Sequence, residues 1–174
     1  MAKRIENLIH HITTLCDPGQ LGRTKIAKIL WLSDVEYFRR SGKTISHSDE
    51  YVKDEHGPRH SKLYESLAAL KADNRVVERQ GLTPVGYRNE YVPVSTVDVS
   101  DFSAEEIAIV DRITAKISGL SAKQASDLTH DDLWDAAYFN ERMPVAAAAP
   151  IAGDVTPDIM NWAESIFNEH CKAC

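Results

Sequence analysis

The chain has 174 residues, 43% hydrophobic and 26% charged, with a formal net charge of -6. That balance supplies a core of ordinary domain size and excludes disorder over most of the length. It also excludes nucleic acid as the default partner, because phosphate contacts need a basic surface and the basic residues at Arg39-Arg40 and around Arg59 and Lys62 are interleaved with acids.

A helix is expected over residues 4–16, where Ile5, Leu8, Ile9, Ile12 and Leu15 recur at helical spacing. Asp17-Pro18-Gly19 stops it. Thr24 is the expected N-cap of a second helix reaching Arg40, with Gly42 as its stop. Its apolar residues, Ile26, Ile29, Leu30, Trp31, Leu32, Val35, Tyr37 and Phe38, cover more than one stripe, so this helix is expected at the centre of the fold. Residues 43–56 read as short and irregular. His56-Gly57-Pro58 is expected to open a third helix, since proline suits a first helical turn, and Leu63, Leu67 and Leu70 give its buried edge with Tyr64 alongside.

The period then changes. Residues 75–80 and 87–94 have β-type composition around Gly81, Pro84 and Gly86, which predicts a small hairpin with a loop longer than two residues. Ser103-Ala104-Glu105-Glu106 is a capping box after Phe102, and Ile107, Val110, Ile113 and Ile117 continue that helix until Gly119. Ser121 and Thr129 are two more expected N-caps, residues 144–154 an expected loop, and Thr156-Pro157 the start of a terminal helix with Ile159, Trp162, Ile166 and Phe167. The fold class is therefore mostly α (α+β): one compact helical domain over residues 1–174 with a small β-hairpin, without internal repeat or dividing linker.

No run of about 18 apolar residues predicts a membrane span. Met1–Asn7 lacks the apolar core of a leader, and the odd number of cysteines (Cys16, Cys171, Cys174) does not make a disulfide framework, so a cytoplasmic setting is expected. His56 and His60 stand four apart, a metal-binding spacing on a helix, and His130 with Asp131 and Asp132 could complete a hydrolytic metal site. Against that, His56 precedes the expected helix and no zincin glutamate follows it. His170-Cys171-Lys172-Ala173-Cys174 is half of a zinc site without its other half, and Cys16 reads as a core residue rather than a nucleophile served by His10, His11 or His130. No catalytic elbow, phosphate loop or dinucleotide fingerprint occurs, so neither catalysis nor a cofactor is expected. Asp34, among Leu30, Trp31, Val35 and Phe38, must be paired if buried, and is expected to pin the following loop through its backbone amides or an arginine.

The ordered set Lys28–Ile45 with Asp34, Tyr37-Phe38 and Gly42, then Asp49-Glu50-Tyr51-Val52, then His56-Gly57-Pro58, resembles the SocA-like antitoxin family, the Panacea domain. Ser126, His130, Trp134 and Met143-Pro144 resemble its later motif, and the likeness covers about residues 5–146. It implies an antitoxin that binds a cognate toxin protein, either blocking it or handing it as an adaptor to a cellular protease. Asp34, Phe38, Gly42, His56, Gly57, Pro58 and His130 would then be structural motif residues. Tyr37, Arg39, Tyr51, Arg59, Tyr64 and Trp134 are the candidate partner contacts, because aromatic and arginine anchors dominate protein interfaces. Met143-Pro144-Val145 departs from the family's isoleucine-proline-tyrosine run. The extra DNA-binding segment of some relatives is not seen either, so nucleic-acid binding by this chain alone is not expected.

Overall fold

The computed structural model describes residues 2–83 and 86–149. The expected terminal helix and the His170–Cys174 segment lie outside them. Helix α1 (Ala2–Thr14) buries Ile5, Leu8, Ile9 and Ile12 completely and ends where the Asp17 carboxylate accepts the Gly19 N–H at 2.7 Å, starting a single 3-10 turn at Pro18–Gln20. Helix α2 (Arg23–Ser41) is the axis of the fold, with Ile26, Ile29, Leu30 and Trp31 all at 1% exposure or less. Its N-cap is Gly22, two residues before the expected Thr24; the glycine is buried under the Arg88 side chain, whose Cδ and Cγ would stand 3.1 and 3.3 Å from an added Cβ and would have to give way. Gly42 ends it in the left-handed region at φ 68°, donating its N–H to Phe38 O.

His56-Gly57-Pro58 opens no helix: it lies in the turn and second strand of an antiparallel hairpin, β1 (Tyr51–Asp54) and β2 (Gly57–His60), and residues 43–56 therefore contain a strand. Asp54 pairs with Gly57, so Glu55 and His56 form a two-residue turn, and Gly57 at φ 98° has a backbone that no helix start accepts. Pro58 is tolerated because β2 is an edge strand, whose outward N–H needs no ladder partner. On the other side of β1, the segment 140–143 adds a further line of bonds. Asn140 N–H donates to Lys53 O, Lys53 N–H to Glu141 O and Met143 N–H to Tyr51 O, at 2.8–2.9 Å.

Helix α3 (Leu63–Ala72) buries Leu63, Leu67 and Leu70 as its spacing predicts. Strands β3 (Val76–Thr83) and β4 (Gly86–Pro93) form the expected hairpin, though the ladder runs to Thr83 opposite Gly86, leaving a shorter connection than the composition suggested. Helix α4 (Ala104–Ser118) starts at Ser103 with both halves of the capping box made through Glu106. Helix α5 (Ala122–Asp127) starts at Ser121 in the same way with Gln124. Helix α6 (Asp132–Ala136) is capped by Asp131, not Thr129, whose buried hydroxyl instead donates back to Ser126 O. Within the expected loop at 144–154, Val145–Ala148 forms one helical turn, α7, anchored by the Val145 N–H on Asp49 Oδ1. The described residues are thus mostly α with two small antiparallel hairpins.

Candidate functional site

Beneath the β1–β2 hairpin, α2 places two of its three buried charges, Asp34 and Lys28; the third, Lys25, donates to Gln20 O and Ser118 O instead. Asp34, fully buried, accepts the Ser46 N–H at 2.9 Å, the Ser46 hydroxyl at 2.5 Å and the Tyr51 hydroxyl at 2.8 Å. Burial nevertheless pushes its carboxyl up to about 6, against the lowering effect of those donors. The result is a knot joining α2, the 45–48 turn and β1. Trp31 packs edge-on to Tyr51 at 4.9 Å, and Tyr51 packs edge-on to His60 at 5.0 Å.

Two turns earlier on α2, Lys28 is 1% exposed and donates its Nζ to Pro58 O at 2.9 Å. Burial lowers it to about 7; nearby Asp54 acts the other way. Gly57 sits so close that a Cβ there would lie 2.8 Å from Lys28 Nζ and 2.5 Å from Thr129 Oγ1. Glycine is therefore required at the turn for space as well as for its positive φ. Beside it a cavity of about 270 Å³ is lined by Arg23, Thr24, Lys28, His56, Arg59 and Tyr64, among others. Arg59 binds Asp54 Oδ2 at 2.5 Å and lies over the Tyr64 ring at 4.7 Å; Arg23 approaches the same ring at 5.5 Å.

On the flank of the hairpin His130 stacks on Trp134, with centroids 3.8 Å apart and planes 10° from parallel. Trp134 Nε1 donates to Asp54 O at 3.2 Å, and Lys53 Nζ lies 4.1 Å over the indole. Burial holds the His130 imidazole below its usual range, and Lys28 adds to that effect. Beyond α6 the chain projects Tyr138 and Phe139 into solvent, 82% and 66% exposed. Their loop is fixed by the Lys53 backbone bonds, by Lys53 Nζ on Ala137 O at 2.9 Å and by Tyr138 N–H on Glu141 Oε2 at 2.6 Å.

Geometry sorts the candidate residues. Arg59, Tyr64, His56 and Gly57 meet around the cavity, with Pro58 behind it and Trp134 and His130 on the adjoining flank. Tyr37 and Phe38 pack half-buried on the core, and Arg39 donates to Ala148 O and Ala149 O, tying the C-terminal end of α2 to α7 away from the hairpin. Gly42 is exposed at the helix end. Tyr51 offers a partner nothing: it is wholly buried and belongs to the Asp34 knot.

The metal constellation is not assembled. His56 is exposed at the hairpin tip, whereas His60 is buried at the far end of β2, paired with Tyr51, its Nδ1 accepting the Lys62 N–H at 3.2 Å. Burial drops His60 to about 4, which keeps it neutral. Among the described residues no group of three or more His, Cys, Asp or Glu is placed to hold a metal ion. No helix among them is long and apolar enough to cross a membrane.

The family model for the antitoxin SocA-like Panacea domain matches residues 26–135, well over half of the chain. The chain belongs to this antitoxin family. Neither a curated protein nor a solved structure matches it. The matched part of the Panacea domain holds the Asp34 knot, Lys28, the whole β1–β2 hairpin and Trp134; Arg23, Tyr138 and Phe139 lie outside it. Sequence reasoning passed over Lys28, although a lysine inside Ile26-Ala27-Lys28-Ile29-Leu30 carried the same signal as Asp34. It also passed over the adjacent Tyr138-Phe139 pair, whose exposure no spacing reveals.

Proposed function

We propose that this chain acts in the cytoplasm as the antitoxin of a toxin–antitoxin pair, neutralising a cognate toxin by direct binding rather than by catalysis. The observation that carries the reading is the Tyr138-Phe139 projection, two large exposed aromatics on a loop held by backbone bonds. Aromatic side chains on a backbone already held in place give up only their own rotamer freedom on docking, and such side chains dominate interface energetics. Trp134, bonded to Asp54 O, and Arg59 and Tyr64 at the cavity offer further aromatic and arginine contacts around the hairpin.

Co-expression with the product of a neighbouring gene tests this. Rescue from toxicity by the wild-type chain, and its loss in a Tyr138→Ala/Phe139→Ala variant that retains the wild-type circular dichroism spectrum, is the expected result. Full rescue by that variant would remove the assigned face, and failure to rescue against every neighbouring gene would remove the antitoxin reading. A proteolytic adaptor differs from a simple blocker by shortening the toxin's half-life when the cellular protease is present.

A further inference from the structure

Lys28, which lines the cavity between α2 and the β1–β2 hairpin, carries a buried ammonium group with hydrogen-bonding capacity to spare. Charged Lys28 Nζ has three protons to donate, and Pro58 O takes one of them. Asp54, the carboxylate that acts on it, is engaged elsewhere, with Oδ2 on Arg59 and Oδ1 on the Glu55 N–H. A buried cation in this position calls for a further acceptor. Across the cavity Tyr64, 48% exposed, gathers the Arg23 and Arg59 guanidinium groups over its ring. With Lys28 protonated, as it is below about pH 7, the cationic lining, Arg23, Lys28 and Arg59, exceeds the anionic lining, Asp54 and Glu55, by a single charge. One carboxylate balances that surplus; a phosphate dianion overshoots it. The volume of about 270 Å³ accommodates an acidic side chain.

We propose that this cavity is a carboxylate-binding site that takes an Asp or Glu side chain of the partner protein, with Lys28, Arg23 and Arg59 as donors. The choice of source rests on the antitoxin reading; the chemistry of the site does not. Gly57 keeps the hairpin tip against the lysine, and the arginine pair over Tyr64 marks the mouth through which the acid enters.

The test is amide NMR of the whole chain titrated with sodium acetate against chloride at constant ionic strength, with a parallel phosphate series. Saturable shifts at Arg23, Lys28 and Gly57, stronger for acetate than for phosphate, are expected. Arg23→Ala, at the exposed start of α2, weakens them several-fold, and Lys28→Met abolishes them. No saturable shift, tighter binding of phosphate, or an unchanged response in Lys28→Met overturns the carboxylate site. In the toxin complex the same amides no longer respond to acetate. If they still do, the partner's acid is not the occupant, although rescue and acetate binding by the free chain both stand. If no neighbouring toxin binds at all, the proposed source falls whatever the acetate series gives.

Discussion

Replacing Asp34 with asparagine separates the charge of the buried knot from its shape. The asparagine oxygen still accepts the Ser46 N–H, while its amide now faces the Ser46 and Tyr51 hydroxyls that donate to the carboxylate. Ser46 keeps an acceptor in Ser48 O at 3.1 Å; the buried Tyr51 hydroxyl loses its own, at a cost of about 1–3 kcal/mol. Charge works in the opposite direction. The folded carboxyl titrates at about 6 against an ordinary 3.8. The unfolded chain therefore ionises first, and Asp34's contribution to stability is complete below about pH 4 and lost as pH rises through about 6. A shift of about two units at about 1.4 kcal/mol each makes that loss about 2–3 kcal/mol at pH 7. Asparagine cannot ionise and escapes it. In urea unfolding followed by circular dichroism, Asp34→Asn should gain about 2 kcal/mol on wild type between pH 4.5 and pH 7, because wild type alone loses the carboxyl's contribution over that range. A gap equal at both pH values, within about 0.5 kcal/mol, would refute the account of a carboxyl raised by burial.

Lys28 gives the mirror case: its folded value of about 7 lies below the ordinary 10.5, so its stabilisation is present above 10.5 and lost as pH falls through about 7. Wild type should gain stability in urea from pH 7 to 9, and Lys28→Met should flatten that rise; an unaltered slope would place the titration elsewhere. Gly57→Ala drives a Cβ to 2.5 Å from Thr129 Oγ1 at a φ of 98° and should cost at least about 2 kcal/mol, read as a lower urea midpoint at unchanged m value. Ser103→Ala removes one arm of the capping box and should lower stability by about 1 kcal/mol, again by urea unfolding, with a loss below about 0.3 kcal/mol counting against the cap.

Much of the helical frame could be read from single stretches of chain. The burial of Ile5, Leu8, Ile9 and Ile12, the stop at Gly42 and the caps at Ser103 and Ser121 all depend on residues within one or two turns of each other. The partners of Asp34 were half legible: a carboxylate among apolar neighbours must find donors, and the nearest loop supplied the Ser46 amide. That the other donors would be the Ser46 and Tyr51 hydroxyls was not. His56-Gly57-Pro58 shows the limit most clearly, because glycine followed by proline suits a helix start and a tight strand turn alike. The choice fell to what packs around it: Lys28 donating to Pro58 O, Thr129 pressed against Gly57, and segment 140–143 bonded along β1. The cavity that joins Arg23, Lys28, Arg59 and Tyr64 exists only once α2, the hairpin and α3 are assembled. Periodicity and capping act over a few residues and are written in the sequence. The hairpin, the buried lysine and the exposed aromatic tip depend on contacts across up to about a hundred positions, which only the packed chain decides.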